Sequence, residues 1–195
     1  MSAVTGKELD ILVEDEVARS LLQSSLPASL RSRVTISVIG SATALARQLA
    51  ALYVRGEERP TLAIFDGDQA VKEQDNLSHA QKMAENVGVD FADWFRSHIA
   101  YLPGETWPEA WIVQKGNDCI EVLSDLTSSS PDALSDILEY GLQAGKHHEF
   151  VEIAKHLGLD RAACLQFFTI SVCQKFPDEF EPIVSRVSEV LTQNG

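Results

Sequence analysis

The stretch Ile11-Leu12-Val13-Glu14-Asp15-Glu16 ("ILVEDE") joins three aliphatic residues directly to three carboxylates. A short apolar run bounded by polar residues is typical of a buried strand. In the segment that follows, Val17, Leu21 and Leu22 have the spacing of one helix face. The stretch therefore predicts a strand that ends in acid and leads into a helix.

The same order repeats along the N-terminal half. "RVTISVIG" (33–40) alternates and is rich in β-branched residues, which predicts a second strand. Ser41 is a suitable N-cap for a helix over 42–54, and "TLAIF" (61–65) predicts a third strand. A fourth short strand is predicted within "IAYLPG" (99–104). Strands and helices that alternate with short turns predict an α/β fold, in which helices flank a parallel sheet.

The pattern becomes helical from about residue 107 to the end of the chain. Prolines stand near the predicted helix starts and glycines near the ends, as is common at helix termini. We therefore predict an α/β domain over residues 1–118 and an all-helical subdomain over 119–195. The polar segment 69–80 is expected to be a loop.

The composition restricts the partners of the chain. Its 195 residues carry 16 Lys plus Arg against 29 Asp plus Glu, a formal charge of -13. A field of this sign repels nucleic acid, so a polyanion would need a local site with bound cations or another subunit.

Cellular location can also be predicted. Cys119, Cys164 and Cys173 lack metal-binding spacing, and we expect them to be reduced core residues. No apolar run reaches the ~18 residues of a membrane span, and the first ten residues lack a signal-peptide core. We expect a soluble cytoplasmic protein with no membrane partner.

Carboxylates cluster after three of the predicted strands. Because the carboxyl ends of parallel strands meet at one edge of the sheet, these groups should converge. Converging carboxylates cannot all stay ionised without compensation, which a hard cation such as Mg²⁺, Mn²⁺ or Ca²⁺ supplies. Any single acid, such as Asp15, could instead be a helix N-cap. The clustered residues are Glu14, Asp15, Glu16, Asp66, Asp68, Glu105 and Glu109.

Two fold families carry such a pattern. "ILVEDE" and "RPTLAIFDGD" (59–68) resemble the first and third strands of receiver domains, which bind Mg²⁺ around a phosphorylated aspartate. A receiver also needs a Thr or Ser at the end of strand four and a later Lys-Pro, and neither is found here. The Toprim fold has a Glu after its first strand and an Asp-x-Asp after its third, which Glu14 and Asp66-Gly67-Asp68 match.

Within Toprim, the chain most resembles the nuclease part of the OLD (overcoming lysogenisation defect) family. These proteins pair an ATPase domain with a C-terminal Toprim nuclease. The resemblance covers most of the chain and is carried by "LVEDEVARSLL" (12–22), "FDGD" (65–68), "YLPGETWPEAWI" (101–112) and "HHEFVEIAKHLGL" (147–159).

The resemblance implies a DNA endonuclease or nickase that hydrolyses phosphodiester bonds with two divalent cations (Mg²⁺, Mn²⁺ or Ca²⁺). It implies the catalytic residues Glu14, Asp66, Asp68 and Lys175, with Lys155 as the alternative lysine. It implies the metal ligands Glu14, Asp15, Asp66, Asp68 and Glu109, and a late helix that packs back on this site.

The chain departs from the common Toprim motif at two positions. Asp15 stands where that motif has Gly, and Ala18 where it has a second Glu, so the second metal depends on Asp15. His147 and His148 are adjacent and would point to different faces of a helix, so we expect structural roles for both.

The resemblance also implies partners. They are DNA and an ATPase, either in the same chain or as a separate subunit, as in bacterial antiphage systems; a helicase is a further candidate. The alternatives are a receiver-like phospho-aspartate module and a Toprim domain that binds metal without cutting.

Overall fold

A parallel sheet lies at the centre of the computed structural model, which describes residues 7–56, 59–84, 88 and 90–193. The described residues form four strands in the order β2-β1-β3-β4. Ile11 of β1 lies opposite Ile36 of β2 and Leu62 of β3, so the two central strands are offset by only one residue. The strands are β1 (Leu9–Val13), β2 (Val34–Val38), β3 (Thr61–Phe65) and β4 (Ile99–Tyr101).

Helices cover both faces of the sheet, which confirms the predicted α/β fold. No described helix has the length and apolar composition needed to cross a membrane. Within the described ranges, three 3₁₀ turns cover Gly67–Lys72, Asn117–Cys119 and Pro177–Phe180. The described α-helices are α1 (Glu16–Ser25), α2 (Ala28–Arg31), α3 (Ala42–Arg55), α4 (Glu73–Met83), α5 (Phe91–Ser97), α6 (Pro108–Gly116), α7 (Ile120–Thr127), α8 (Pro131–Gln143), α9 (Glu149–Leu157), α10 (Arg161–Lys175) and α11 (Glu181–Gln193).

Alternating side chains of the strands belong to two separate hydrophobic cores, one on each face of the sheet. Leu12 of β1 packs with buried residues of α3, α4 and α5. Ile11 and Val13 point to the opposite face, as the two-residue period of a strand requires. The core on that face is one cluster that continues into α6 to α11. The division at residue 118 stays a prediction.

The predicted loop over 69–80 was wrong. This segment completes a 3₁₀ turn and forms most of α4. Its sequence is largely polar, but Leu77 and Ala80 are buried against α3, so tertiary packing stabilises a helix that has a weak apolar stripe of its own. All three cysteines are buried and unpaired, as predicted, and burial raises the pKa of the Cys164 and Cys173 thiols to about 12.

Candidate metal centre

The ends of the two central strands bring Glu14 and Asp66 together. Each residue directly follows its strand, and β1 and β3 pair in register up to Val13 and Ile64. The backbone N–H of Asp66 donates to Glu14 Oε1 at 3.2 Å. The convergence expected from a parallel sheet therefore holds for these two acids.

Asp66 is a buried carboxylate without compensation. Only 3 % of its surface is exposed, and among the described residues its Oδ1 has no hydrogen-bond partner. Burial, and then the negative charges of Glu14, Asp15, Asp68 and Glu109, raise the pKa of Asp66 to about 8. Burial also raises the pKa of Glu14, although backbone N–H groups of Asp66 and Ala42 donate to it. Both acids hold their protons more tightly than free carboxyl groups do.

Glu109 enters the cluster from the first turn of α6. It is 1 % exposed, and Pro108 before it occupies the first helical position, where no backbone N–H is needed. Glu109 Oε1 lies 3.0 Å from His147 Nδ1, whereas Oε2 is buried and has no partner among the described residues. A second carboxylate oxygen is thus left unpaired inside the protein.

Asp15 is both the N-cap of α1 and a member of the cluster. Its Oδ1 accepts hydrogen bonds from the N–H groups of Val17 and Ala18, each at 2.9 Å. Ligand atoms of Asp15, Glu109 and His147 also lie within 4.8 Å of one another, a grouping that could hold a metal ion. The simpler interpretation, a capping residue, is therefore correct, and the geometry adds a second possible role for the same side chain.

Asp68 occupies the outer edge of the cluster and is neutralised there. Burial would raise its pKa, but a hydrogen bond from Gln69 and the charges of Lys146 and Lys72 together hold the pKa below its ordinary value. Lys146 Nζ lies 3.3 Å from Asp68 Oδ2, and Lys72 Nζ lies 3.6 Å from it. Asp66 and Asp68 are separated by one residue and have opposite electrostatic environments.

Two glycines allow the segments that carry the acids to approach closely. A Cβ on Gly67 would collide with the carbonyl oxygen of Gly104. Gly104 itself has φ of +92°, and a Cβ there would collide with the Trp111 ring. The glycine in Asp66-Gly67-Asp68 is therefore needed for the contact between the third strand end and the loop that leads to α6.

The turn before α9 supplies two residues that the sequence analysis did not place in the site. Lys146 reaches Asp68, and His147 reaches Glu109. His147 has φ of +67°, so it lies in a turn and not on a helix, and the helix-face argument that gave it a structural role does not apply. Gly145, with φ of +90°, was the available sequence signal for such a turn.

Trp107 contacts this turn through Lys146, and Glu149 in turn accepts a hydrogen bond from Trp107. Lys146 Nζ lies 5.3 Å from the centre of the Trp107 ring, within range of a cation–π interaction. Trp107 Nε1 donates to Glu149 Oε1, and Glu149 is fully buried. The support fixes the position of Lys146 relative to the acids.

The remaining candidates lie elsewhere. Lys175 Nζ donates to the backbone carbonyl of Asp118, and no hydrogen bond or ion pair joins it to the acids among the described residues. Lys155 pairs with Glu152. Glu16 is exposed and pairs with Arg19, and Glu105 is exposed. The catalytic role of Lys175 stays a prediction, while Lys146 is the lysine that contacts the cluster.

Comparison with known proteins supports the predicted resemblance at the level of the fold. No protein-family model and no curated protein sequence matches the chain. The solved C-terminal region of the OLD protein of Xanthomonas campestris pv. campestris matches it with a TM-score of 0.52 and 15 % identity. The alignment covers 99 % of this chain and 98 % of that one. The chain therefore has the fold of an OLD C-terminal region, and the predicted structural resemblance is confirmed.

Proposed function

We propose that the chain is a divalent-cation-dependent phosphodiester hydrolase that acts on DNA, equivalent to the nuclease part of an OLD-type ATPase-nuclease. One observation carries the proposal: two buried carboxylate oxygens, Asp66 Oδ1 and Glu109 Oε2, have no partner among the described residues and belong to one cluster of acids. Unpaired buried carboxylates are costly unless a cation compensates them.

The acids of the cluster suit the predicted cations. Oxygen ligands favour Mg²⁺, Mn²⁺ and Ca²⁺. Glu14, Asp15, Asp66, Asp68 and Glu109 would hold the ions, of which the family resemblance implies two. Ions bound in such a site would lower the pKa of an attacking water and stabilise the negative charge on the leaving oxygen.

Lys146 would act on the substrate phosphate. Its ammonium group lies at the outer edge of the cluster, where it already neutralises Asp68. A phosphate approaching that edge would meet a positive charge held in place by Trp107. Fixed charges of this kind stabilise charge that develops during a reaction, because they need no reorganisation. Lys175 remains a candidate for this role only through the resemblance.

A groove along α1 and α10, lined by more basic than acidic side chains, offers a path for the DNA backbone. The groove has a volume of about 1160 Å³ and follows α1 and α10, starting at the first turn of α1, directly after Asp15. Its lining includes the cations Lys7, Arg19, Arg31 and Arg161, and the acids Glu16 and Asp160. This local excess of positive charge contrasts with the formal charge of -13 of the whole chain, and phosphate binding is driven by such local cations.

The proposed partners follow from the extent of the similarity. It covers nearly the whole of a region that is itself the C-terminal part of an OLD protein. We propose that the chain works with an ATPase, in the same polypeptide or as a separate subunit, in the bacterial cytoplasm and in defence against phage. A helicase is a further partner that this setting suggests.

Plasmid nicking tests the proposed activity. Supercoiled plasmid is incubated with the chain and Mg²⁺, Mn²⁺ or Ca²⁺, beside the variants Asp66→Ala and Asp125→Ala. Asp125 is an exposed acid on α7 and provides the matched control. We expect nicked or linear product from the wild type and from Asp125→Ala, and none from Asp66→Ala.

The outcomes separate the proposal from its alternatives. Equal cutting by Asp66→Ala would show a contaminating nuclease and would remove the support for this site. Cation binding without cutting would favour a metal-binding Toprim domain. Phosphorylation of Asp66 by acetyl phosphate would favour a receiver, although the low exposure of Asp66 argues against it.

A further inference from the structure

We propose that His147 is a nitrogen ligand of one cation, which it binds together with Asp15 and Glu109, and that it makes this position prefer Mn²⁺ over Mg²⁺ and Ca²⁺. The inference rests on the cation site of the proposed function, but it does not depend on hydrolysis.

Three separate segments bring the ligand atoms together. Asp15 caps α1, Glu109 lies in the first turn of α6, and His147 lies in the turn before α9. Their ligand atoms are within 4.8 Å of one another. Asp15 uses Oδ1 for the helix cap, so Oδ2 is the oxygen that it can offer to an ion.

Glu109 gives independent evidence for a ligand at this position. Its Oε2 is buried and unpartnered among the described residues, while Oε1 lies 3.0 Å from His147 Nδ1. The imidazole alone therefore leaves half of this carboxylate uncompensated. An ion between the three side chains would satisfy the remaining oxygen.

The backbone holds His147 in an unusual conformation. A φ of +67° is uncommon for a residue other than glycine and costs on the order of 1 kcal/mol. The neighbour on one side, Lys146, is fixed by Asp68 and Trp107, which sets the direction of the turn. His148, on the other side, is exposed, and His147, itself half exposed, is the histidine that contacts Glu109. The ordered turn thus presents one of two adjacent histidines to the acids.

The donor set determines which cation is preferred. Carboxylate oxygens suit Mg²⁺, Ca²⁺ and Mn²⁺. An imidazole nitrogen favours transition ions over Mg²⁺ and Ca²⁺, and Mn²⁺ is the transition ion among these three, although it binds more weakly than the later metals of its row. Removal of the nitrogen donor should therefore weaken Mn²⁺ binding more than Ca²⁺ binding. A site made of the five predicted acids alone would not make this distinction.

Metal binding by the full chain tests the role of His147 without any measurement of activity. Mn²⁺ affinity is measured by calorimetry for the wild type, His147→Ala, His147→Gln and the matched control His148→Ala. We expect the Mn²⁺ Kd of the two His147 variants to rise about tenfold or more, in the range known for the loss of groups that support metal sites. The Ca²⁺ Kd should change by less than about threefold, since Ca²⁺ prefers oxygen ligands.

Pulsed electron paramagnetic resonance of bound Mn²⁺ provides a direct test of the nitrogen ligand. Wild type and His148→Ala should show coupling to ¹⁴N that changes on selective ¹⁵N-histidine labelling, and both His147 variants should lack it. Absence of histidine coupling in the wild-type spectrum would overturn the inference even if a variant fails to fold.

The possible failures can be told apart. If Mn²⁺ binds without histidine coupling and with equal affinity in His147→Ala, the inference is wrong but the cation site stands. If no divalent cation binds to the wild type, both proposals fail. If histidine coupling is present but plasmid is not cut, the inference holds and the proposed hydrolysis fails.

Discussion

Replacement of Asp66 by asparagine should stabilise the cation-free chain, and the gain should increase with pH. Asp66 is 3 % exposed, and burial followed by the charge of neighbouring acids raises its pKa from 3.8 to about 8. Asparagine has nearly the same shape but carries no charge. The variant therefore removes the cost of ionisation and leaves the packing unchanged.

The sign and size of the effect follow from linkage between protonation and folding. Because the folded pKa of Asp66 is the higher one, the folded chain holds the proton more tightly, and the stability this gives is lost as pH rises from 3.8 through about 8. Each pH unit in that window lowers the free energy of unfolding by about 1.4 kcal/mol. Between pH of about 5 and about 8, the difference in free energy of unfolding between Asp66→Asn and wild type should thus grow by up to about 4 kcal/mol.

Urea denaturation in EDTA across this pH range provides the measurement. Asp125→Asn, which changes an exposed acid on α7, is the matched control and should follow the wild type at every pH. In a parallel series without EDTA, free Mn²⁺ at about one hundred times the wild-type Kd should stabilise the wild type by about 2.7 kcal/mol and Asp66→Asn by much less. If the difference in free energy of unfolding between Asp66→Asn and wild type does not depend on pH, Asp66 is not a buried, uncompensated carboxylate.

Three further variants test other parts of the site. Gly67→Ala should lower the free energy of unfolding by about 1–3 kcal/mol because its Cβ would collide with the Gly104 carbonyl. Gly88→Ala, whose Cβ would meet no described atom within 4 Å, should not, and urea denaturation checks both. Lys146→Ala should reduce plasmid cleavage about 100-fold or more. Lys155→Ala, which removes an exposed pair with Glu152, should cleave normally. Arg161→Glu should weaken DNA binding and reduce the slope of log K against log salt concentration by about one. Arg47→Glu, which changes an exposed residue on α3, should do neither. DNA binding is measured over a salt series, and equal behaviour of the two variants would contradict the proposal that DNA binds in the groove.

The inner part of the site could be predicted from the sequence because it depends on short-range features. Glu14 and Asp66 directly follow central parallel strands, and the register of β1 and β3 alone brings them together. The capping role of Asp15 is equally local. Glu16, one residue later, points to solvent and pairs with Arg19, since successive residues of a helix face different directions.

The outer part depends on contacts that the sequence pattern does not reveal. His147 and Lys146 reach the acids only because a turn with two positive φ angles precedes α9 and because α9 packs against α6 and α8. Separation along the chain favoured Lys175, but that side chain contacts Asp118 instead. The helix α4 was missed for the same reason, because its few apolar residues form a helix only against α3.

The opposite environments of Asp66 and Asp68 imply different roles for the two acids of one motif. Asp68 is already balanced by Gln69, Lys146 and Lys72, so among the proposed ligands it has less need of a cation than Asp66. Asp66 has no such balance and holds a proton at neutral pH in its absence, so a bound cation must displace that proton. A cation bound in the cluster would therefore compensate Asp66. Lys146 would stay at the outer edge, where it shares Asp68 with Lys72. A chain with a charge of -13 could in this way present a positive group to a phosphate.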